Sequence, residues 1–128
     1  YNVMILEPIA ETLDSKPNIV HALGMRLIST PDSDTCEAEM FVGDNVRQPF
    51  GVAAGGALLA MAESLAGIGS MMLRPGCQCV GINVSGNHFK PVAEGDKISL
   101  RGKGKLLLAG VNGQTKKGRI SVVIDRYV

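Results

Sequence analysis

The stretch NVRQPFGVAAGGALLAMAESLAGIGSMML, residues 45–73, decides the fold. Between Gln48 and Leu73 it holds one ionisable side chain, Glu63, set among Ala, Leu, Met and Gly. Apolar and small residues occupy every face from Gly55 onward, which predicts a long, largely buried helix starting at the Gly55-Gly56 pair. Glu63 falls about two turns inside it. Its helical neighbours Leu59, Ala60, Ala66 and Gly67 offer neither a cation nor a hydrogen-bonding side chain, so an ionised carboxylate here must find its partner on another element. A carboxylate in that position is a candidate functional group.

Two readings without chemistry compete with this one. Gly55–Leu73 is 19 residues long, enough for a membrane span. Against a span stand the mid-helix acid, which costs roughly 2.5 to 3.5 kcal/mol in that setting, the many glycines, and the absence of Trp or Tyr at either end. The other reading is a core helix whose Glu merely reaches water or pairs with a distant Arg.

Working outward, Met25 to Thr30 reads as a strand and Pro31-Asp32-Ser33-Asp34 as a turn. Thr35 to Val42 is a second strand with Cys36, Ala38, Met40 and Val42 on one face. Gly43-Asp44-Asn45 ends that ladder. Further upstream, residues 4–16 carry apolar positions at Met4, Ile5, Ile9 and Leu13, a weak amphipathic helix interrupted near Pro8. Asn18 to Leu23 reads as a short helical turn, with His21 a surface residue. Beyond the long helix, Arg74-Pro75-Gly76 is a stop. Cys79 to Phe89 alternates Val80, Ile82 and Val84 against Gly81, Asn83 and Ser85, giving a strand with one small, polar face. Lys97 to Leu108 is another strand, and Ser121 to Val128 the last. One long helix wrapped by about five mainly antiparallel strands is an α+β fold in a single domain over residues 1–128. Because the helix is apolar all round, the sheet covers only part of it, and a second copy of the chain would cover the rest.

Composition narrows the function classes. The 128 residues, 45% hydrophobic and 20% charged, suffice for one sizeable core. A net charge of +1, 4% aromatics and no Trp provide neither the basic surface nor the stacking platforms of a nucleic-acid binder. Cys36, Cys77 and Cys79 lack the four-ligand spacing of structural zinc, so they are read as free thiols in a reducing cytoplasm and no metal is expected. Walker and Rossmann glycine patterns are absent. The chain opens on Tyr1 rather than an initiator Met, so further residues are expected to precede it; what is present shows no signal-peptide pattern.

Several spaced elements carry a resemblance. Gln48-Pro49-Phe50-Gly51, Gly55-Gly56 and Ala62-Glu63-Ser64, followed by Gly81, Asn87-His88-Phe89-Lys90-Pro91 and Glu94-Gly95-Asp96, resemble the hotdog-fold acyl-CoA thioesterases. The similarity runs roughly from Ile19 to Gly110 and is to the branch of 4-hydroxybenzoyl-CoA and phenylacetate-pathway thioesterases. It implies a hotdog fold and a cytoplasmic homodimer or homotetramer. It also implies hydrolysis of an aryl- or medium-chain acyl-CoA, with coenzyme A as part of the substrate and no further cofactor. No membrane or nucleic-acid partner is expected.

Helix geometry sets how such a site is assembled. The backbone N–H groups of Gly55 and Gly56 are unpaired donors at the positive end of the helix dipole, suited to a carbonyl oxygen that becomes an oxyanion. Glu63 lies eight positions further on, about 12 Å along the axis, so one acyl carbon cannot touch both groups of one helix. Two helices running antiparallel across a dimer interface bring the N-terminus of one to the middle of the other. The resemblance implies the same arrangement, with Gln48 and Gly55 from one subunit and Glu63 from its neighbour. In this scheme Gly55, with or without Gly56, polarises the thioester carbonyl and Glu63 is general base or nucleophile, a task a desolvated carboxylate suits. Gln48 orients the water or the carbonyl, and Ser64 hydrogen-bonds Glu63 or the acyl group. Met61, Leu65, Ile68 and Met71 are expected to set pocket length.

Two departures stand out. Many members of this branch carry His immediately before Gly-Gly, and here that residue is Ala54. This weakens the expected activity and keeps open a non-catalytic acyl-CoA-binding or regulatory homologue. A dehydratase of the same fold would pair its carboxylate with a nearby His, which the helix lacks. His88 resembles the histidine of the family's Asn-His-x-Arg/Lys-Pro segment, either lining the pocket or structural. After Gly110 only 18 residues remain, interrupted by Gly113, Lys116, Lys117 and Gly118, so a shortened or rearranged final strand pairing is expected. Arg101, Lys103 and Lys105 share a strand face and, with Lys90, offer a rim for the coenzyme's phosphates. We adopt the other reading of that stripe, a solvated strand face whose charges blunt a sheet edge.

Overall fold

The computed structural model describes residues 15–28, 35–73, 78–86, 91–103, 106–111 and 114–127. The predicted leader helix up to residue 14, the turn at 31–34, the helix stop at 74–76, and Cys77, His88, Lys90 and Lys105 lie outside the described residues.

A short helix α1 (Ile19–Leu23) forms because the Asn18 side-chain oxygen accepts the N–H groups of Val20 and His21, and it ends on Gly24 at φ 67°. The strands β1 (Arg26–Ile28) and β2 (Thr35–Phe41) follow, then the long helix α2 (Gly55–Leu73) and β3 (Gln78–Gly86). The chain continues through β4 (Lys97–Lys103), β5 (Leu106–Val111) and β6 (Gln114–Tyr127). These strands make one sheet in the order β1-β2-β4-β5-β6-β3, with every neighbouring pair antiparallel.

The sheet therefore has six strands, where the sequence suggested about five. Lys97–Leu108 is two strands rather than one: Lys103 pairs with Leu106, leaving Gly104-Lys105 as the link. The C-terminus is neither short nor interrupted. Val111 pairs with Gln114 across Asn112-Gly113, and β6 runs for 14 residues through Lys116, Lys117 and Gly118. Asn-Gly and Gly-x are residue pairs that two-residue hairpins favour, so glycine in a sequence marks a turn between paired strands as readily as a strand's end. A register shift between Leu107 and Ala109 absorbs the extra residues of β6.

The core lies between α2 and the sheet. Ala38 and Met40 of β2 and Ile98 and Leu100 of β4 meet Met61, Ala62, Leu65, Ile68 and Met72 of the helix, and Met61 and Leu65 are wholly buried. Leu65, Ile68 and Met61 thus fill the helix–sheet interface instead of lining an open pocket, because their flank of the helix is the one the sheet covers. Cys36 also belongs to that interface. Its free thiol sits 3.9 Å from the Leu65 carbonyl oxygen and 3.8 Å from that of Gly102, and burial pushes its pKa up.

On the outer face, away from α2, charges alternate across three strands. Glu39 is bonded by Arg26 and by Lys97 Nζ at 3.2 Å, and Glu37 pairs with Arg101 at 3.3 Å. Arg101 thus belongs to a paired outer face. The Lys97 hydrogen bond holds the Glu39 carboxyl below the ordinary carboxylate range, against opposing desolvation and with help from Arg26. A depressed folded-state pKa gives stability that is present above the ordinary carboxylate pKa and lost as pH falls through the depressed one. Urea midpoints followed from neutral to acid pH are expected to fall more steeply for the unaltered chain than for Glu39→Gln.

Candidate functional site

The loop from β2 to α2 is tied at both ends. Asn45 Nδ2 donates to the Ala22 carbonyl at 3.2 Å, and Arg47 reaches Asp44 at 3.3 Å and Glu94 at 3.8 Å. Gln48-Pro49-Phe50-Gly51 closes as a turn, Gly51 N–H donating to the Gln48 carbonyl at 3.0 Å with Gly51 at φ 82°. Arg47 then bridges to Ala53 and Val52 to Ala93, while Ala54 N–H donates to the Val46 carbonyl at 2.8 Å. Within this frame Gln48 Nε2 donates to the Ala53 carbonyl at 3.3 Å. The Gln48 amide is thereby fixed two residues before the helix begins.

Ala54 is the cap of α2. Its carbonyl accepts from Ala57 N–H at 3.0 Å and Leu58 N–H at 3.4 Å, but its methyl side chain cannot satisfy the first-turn donors. Among the described residues no acceptor meets the N–H of Gly55 or Gly56. A Cβ placed on Gly56 would meet nothing within 4 Å, so the surface over the helix start is open. The structure thus brings Gln48, Ala54, Gly55 and Gly56 together.

It does not bring Glu63 to them within one chain. Eight residues of unbroken helix separate Gly55 from Glu63, about 12 Å along the axis. Glu63 is also exposed in the single chain, on the part of the helix that the sequence leaves for a second copy to cover. At about 100° per residue Glu63 lies roughly 160° around α2 from Leu65, on the flank the sheet leaves uncovered. The edge strand β3 approaches it: a Cβ on Gly81 would stand 3.0 Å from Glu63 Oε1 and 3.1 Å from its Cδ. Ser64 is half-buried, and among the described residues no hydrogen bond joins it to Glu63. Gly81 had entered the sequence reading as part of a pattern with no role. The available signal was a glycine inside an alternating strand, which marks a bulge or a close approach.

Two further expectations concern other chemistry. No group of three or more His, Cys, Asp or Glu able to hold a metal occurs among the described residues. His21 is exposed and lines a surface hollow with Ser15, Lys16, Pro17, Asn18 and Ala22, none of them a predicted site residue.

The segment from the Gln48 turn through α2 to β4 is also where the chain matches known proteins. A profile described as the thioesterase superfamily matches residues 50–103. The chain is 32% identical over 102 residues to the proofreading thioesterase EntH of Klebsiella pneumoniae, covering 79% of this chain and 72% of that protein. This chain belongs to the thioesterase superfamily. It is 37% identical over 79 residues to the 1,4-dihydroxy-2-naphthoyl-CoA hydrolase of Escherichia coli, covering 61% of this chain and 57% of that one. In three dimensions it matches the PaaI protein from the phenylacetic acid degradation operon of Escherichia coli with a TM-score of 0.78 at 16% identity, over 98% of this chain and 95% of the other. The hotdog architecture expected from the sequence is the observed one. The chain spans between 54% and 72% of the length of the curated relatives it matches.

In this thioesterase-superfamily chain the Gln48 side chain has a structural duty as well as a position beside the helix start. Gln48→Ala removes the bond to Ala53, and urea unfolding is expected to register a loss of about 0.5–1.5 kcal/mol. Amide exchange at Val52 to Gly55 should quicken in the same variant.

Proposed function

We propose that the chain hydrolyses acyl-CoA thioesters, aryl or medium-chain, to the free acid and coenzyme A. The observation that carries this reading is Glu63, an exposed carboxylate on a helix with no other ionisable side chain, whose N-terminus presents the unaccepted N–H groups of Gly55 and Gly56. Membership of the thioesterase superfamily supports it, as do relatives named for thioester and CoA-thioester hydrolysis.

The active unit in this reading is a dimer. The edge of the described sheet at β3 and the half-buried flank of α2 around Leu59 and Gly67, either side of Glu63, are surfaces a second copy would cover. Antiparallel α2 helices put Gly55 of one subunit beside Glu63 of the partner subunit.

The thioester carbonyl oxygen accepts from Gly55 N–H, and the negative charge that grows on it in the transition state meets aligned helix dipoles. Glu63 either takes a proton from the water that attacks the carbonyl carbon, or attacks that carbon itself to give a mixed anhydride that water then cleaves. Both routes break the C–S bond and release coenzyme A as thiolate, which is protonated from solvent. Label from heavy-oxygen water found in Glu63 after a single turnover would mark the anhydride route, since water that cleaves the anhydride at the Glu63 carboxyl carbon leaves its oxygen there. With Nε2 held by Ala53, the remaining amide atoms of Gln48 orient the water or the carbonyl.

Ala54 favours a second reading, an acyl-CoA binder without turnover, because its methyl contributes nothing to a carbonyl or a water. Thiol release measured over benzoyl, phenylacetyl and straight-chain acyl-CoAs decides between them. Glu63→Gln is expected to lower kcat by about 10²- to 10⁴-fold. Gly55→Pro should lower it by about 10²- to 10³-fold by removing one oxyanion donor, with the fold kept because Pro suits the first helical position. Absent turnover by the unaltered chain over the whole panel, with benzoyl-CoA bound equally by it and by both variants, would establish the binder.

A further inference from the structure

The strand residue facing Glu63 is a glycine whose φ does not require one. Gly24, Gly51 and Gly95 take φ values of 67°, 82° and 93°, whereas Gly81 is not among the positive-φ glycines. Glycine inside a strand gives up side-chain packing and orders a freer chain, so it signals a bulge or a close neighbour. Gly69 shows the ordinary case, since a Cβ there would stand 2.9 Å from Cys36 Sγ in the core. At Gly81 the three nearest heavy atoms all belong to one side chain: Glu63 Oε1 at 3.0 Å and Cδ and Cγ at 3.1 Å. The ladder between β3 and β6 also shifts here, Gly81 pairing with Ile124 and Asn83 with Val123, so Ile82 is an extra residue. Such a bulge bends an edge strand.

We propose that Gly81 is a positioning residue for Glu63: the missing side chain at the β3 bulge is the seat in which the carboxylate rests, fixing the conformer it presents across the helix start of a second subunit. This rests on the reading of Glu63 as the reacting carboxylate. A methyl at 81 would push the carboxylate a few tenths of an ångström, and the exposed end of Glu63 has room to yield. The fold therefore survives and alignment suffers. Reacting groups need placement to within about 0.5 Å, and a displacement of about 1 Å costs about 100-fold in rate.

The test compares the unaltered chain with Gly81→Ala, Glu63→Asp and the double variant, using the best acyl-CoA of the panel. Gly81→Ala is expected to lower kcat about tenfold with KM changed less than about twofold and Tm not lowered. Glu63→Asp withdraws the carboxylate by one methylene and empties the seat. Adding Gly81→Ala to it should then cost less than about twofold, a coupling between the two positions that a merely structural glycine would not produce. A crystal structure of Gly81→Ala reads the geometry apart from activity and is expected to show the Glu63 carboxylate displaced. An undisplaced carboxylate, unchanged kcat, or an equal loss in both backgrounds overturns the role of Gly81. Full turnover by Glu63→Gln would instead overturn the proposed reaction site, and the crystal structure would still decide whether Gly81 seats the side chain.

Discussion

The structure depends on a mismatch between one helix and the sheet that holds it. α2 is apolar on every side, yet the sheet covers only the flank of Met61, Ala62, Leu65, Ile68 and Met72. That flank provides the domain's core, since burying large side chains is the main favourable term in folding. The opposite flank carries Glu63 between half-buried Leu59 and Gly67, with Gly81 of the edge strand β3 against the carboxylate. A helix of this composition is stable in one chain through half its surface, and the other half is available for association and chemistry.

In the proposed reading the same helix supplies two elements of the site that cannot meet. Its N-terminus carries the Gly55 and Gly56 donors and its middle carries the carboxylate, and a continuous α-helix keeps them about 12 Å apart. Flexibility does not close that distance. Duplication does, and in the proposed reading the association that covers apolar surface is the one that completes the site. The loop bonds of Gln48 and the bare Cα of Gly81 then hold each half of the site in place before the halves meet.

Much of this was legible in the sequence. The single acid in an apolar run located α2 and Glu63. Alternation gave β2 its inward face of Cys36, Ala38, Met40 and Val42, all at least half-buried. The order of spaced Gly, Gln and Glu elements led to the thioesterase superfamily. What failed did so for identifiable reasons. Lys97–Leu108 reads as one strand because the glycine at 104 sits inside an otherwise strand-like run, whereas Gly113 reads as an interruption because glycine ends strands as well as turning hairpins; only the pairings Lys103 with Leu106 and Val111 with Gln114 tell these cases apart. Met61, Leu65 and Ile68 were expected at a pocket because periodicity reports how apolar a helix is, not which side the sheet covers. The seat at Gly81 depends on a contact between a helix and a strand that are adjacent only in three dimensions.

Subunit complementation tests this picture most directly. Two variants, Gly55→Pro and Glu63→Gln, each inactivate both sites of their own dimer. Mixed and allowed to exchange subunits, they form hybrids in which one site has an intact Gly55 from one chain and an intact Glu63 from the other. With random pairing about a quarter of the unaltered turnover should return, since half the dimers are hybrids and each has one whole site of two. If native mass spectrometry shows the hybrids and turnover stays at the sum of the two variants, the donors and the carboxylate do not act across a subunit interface.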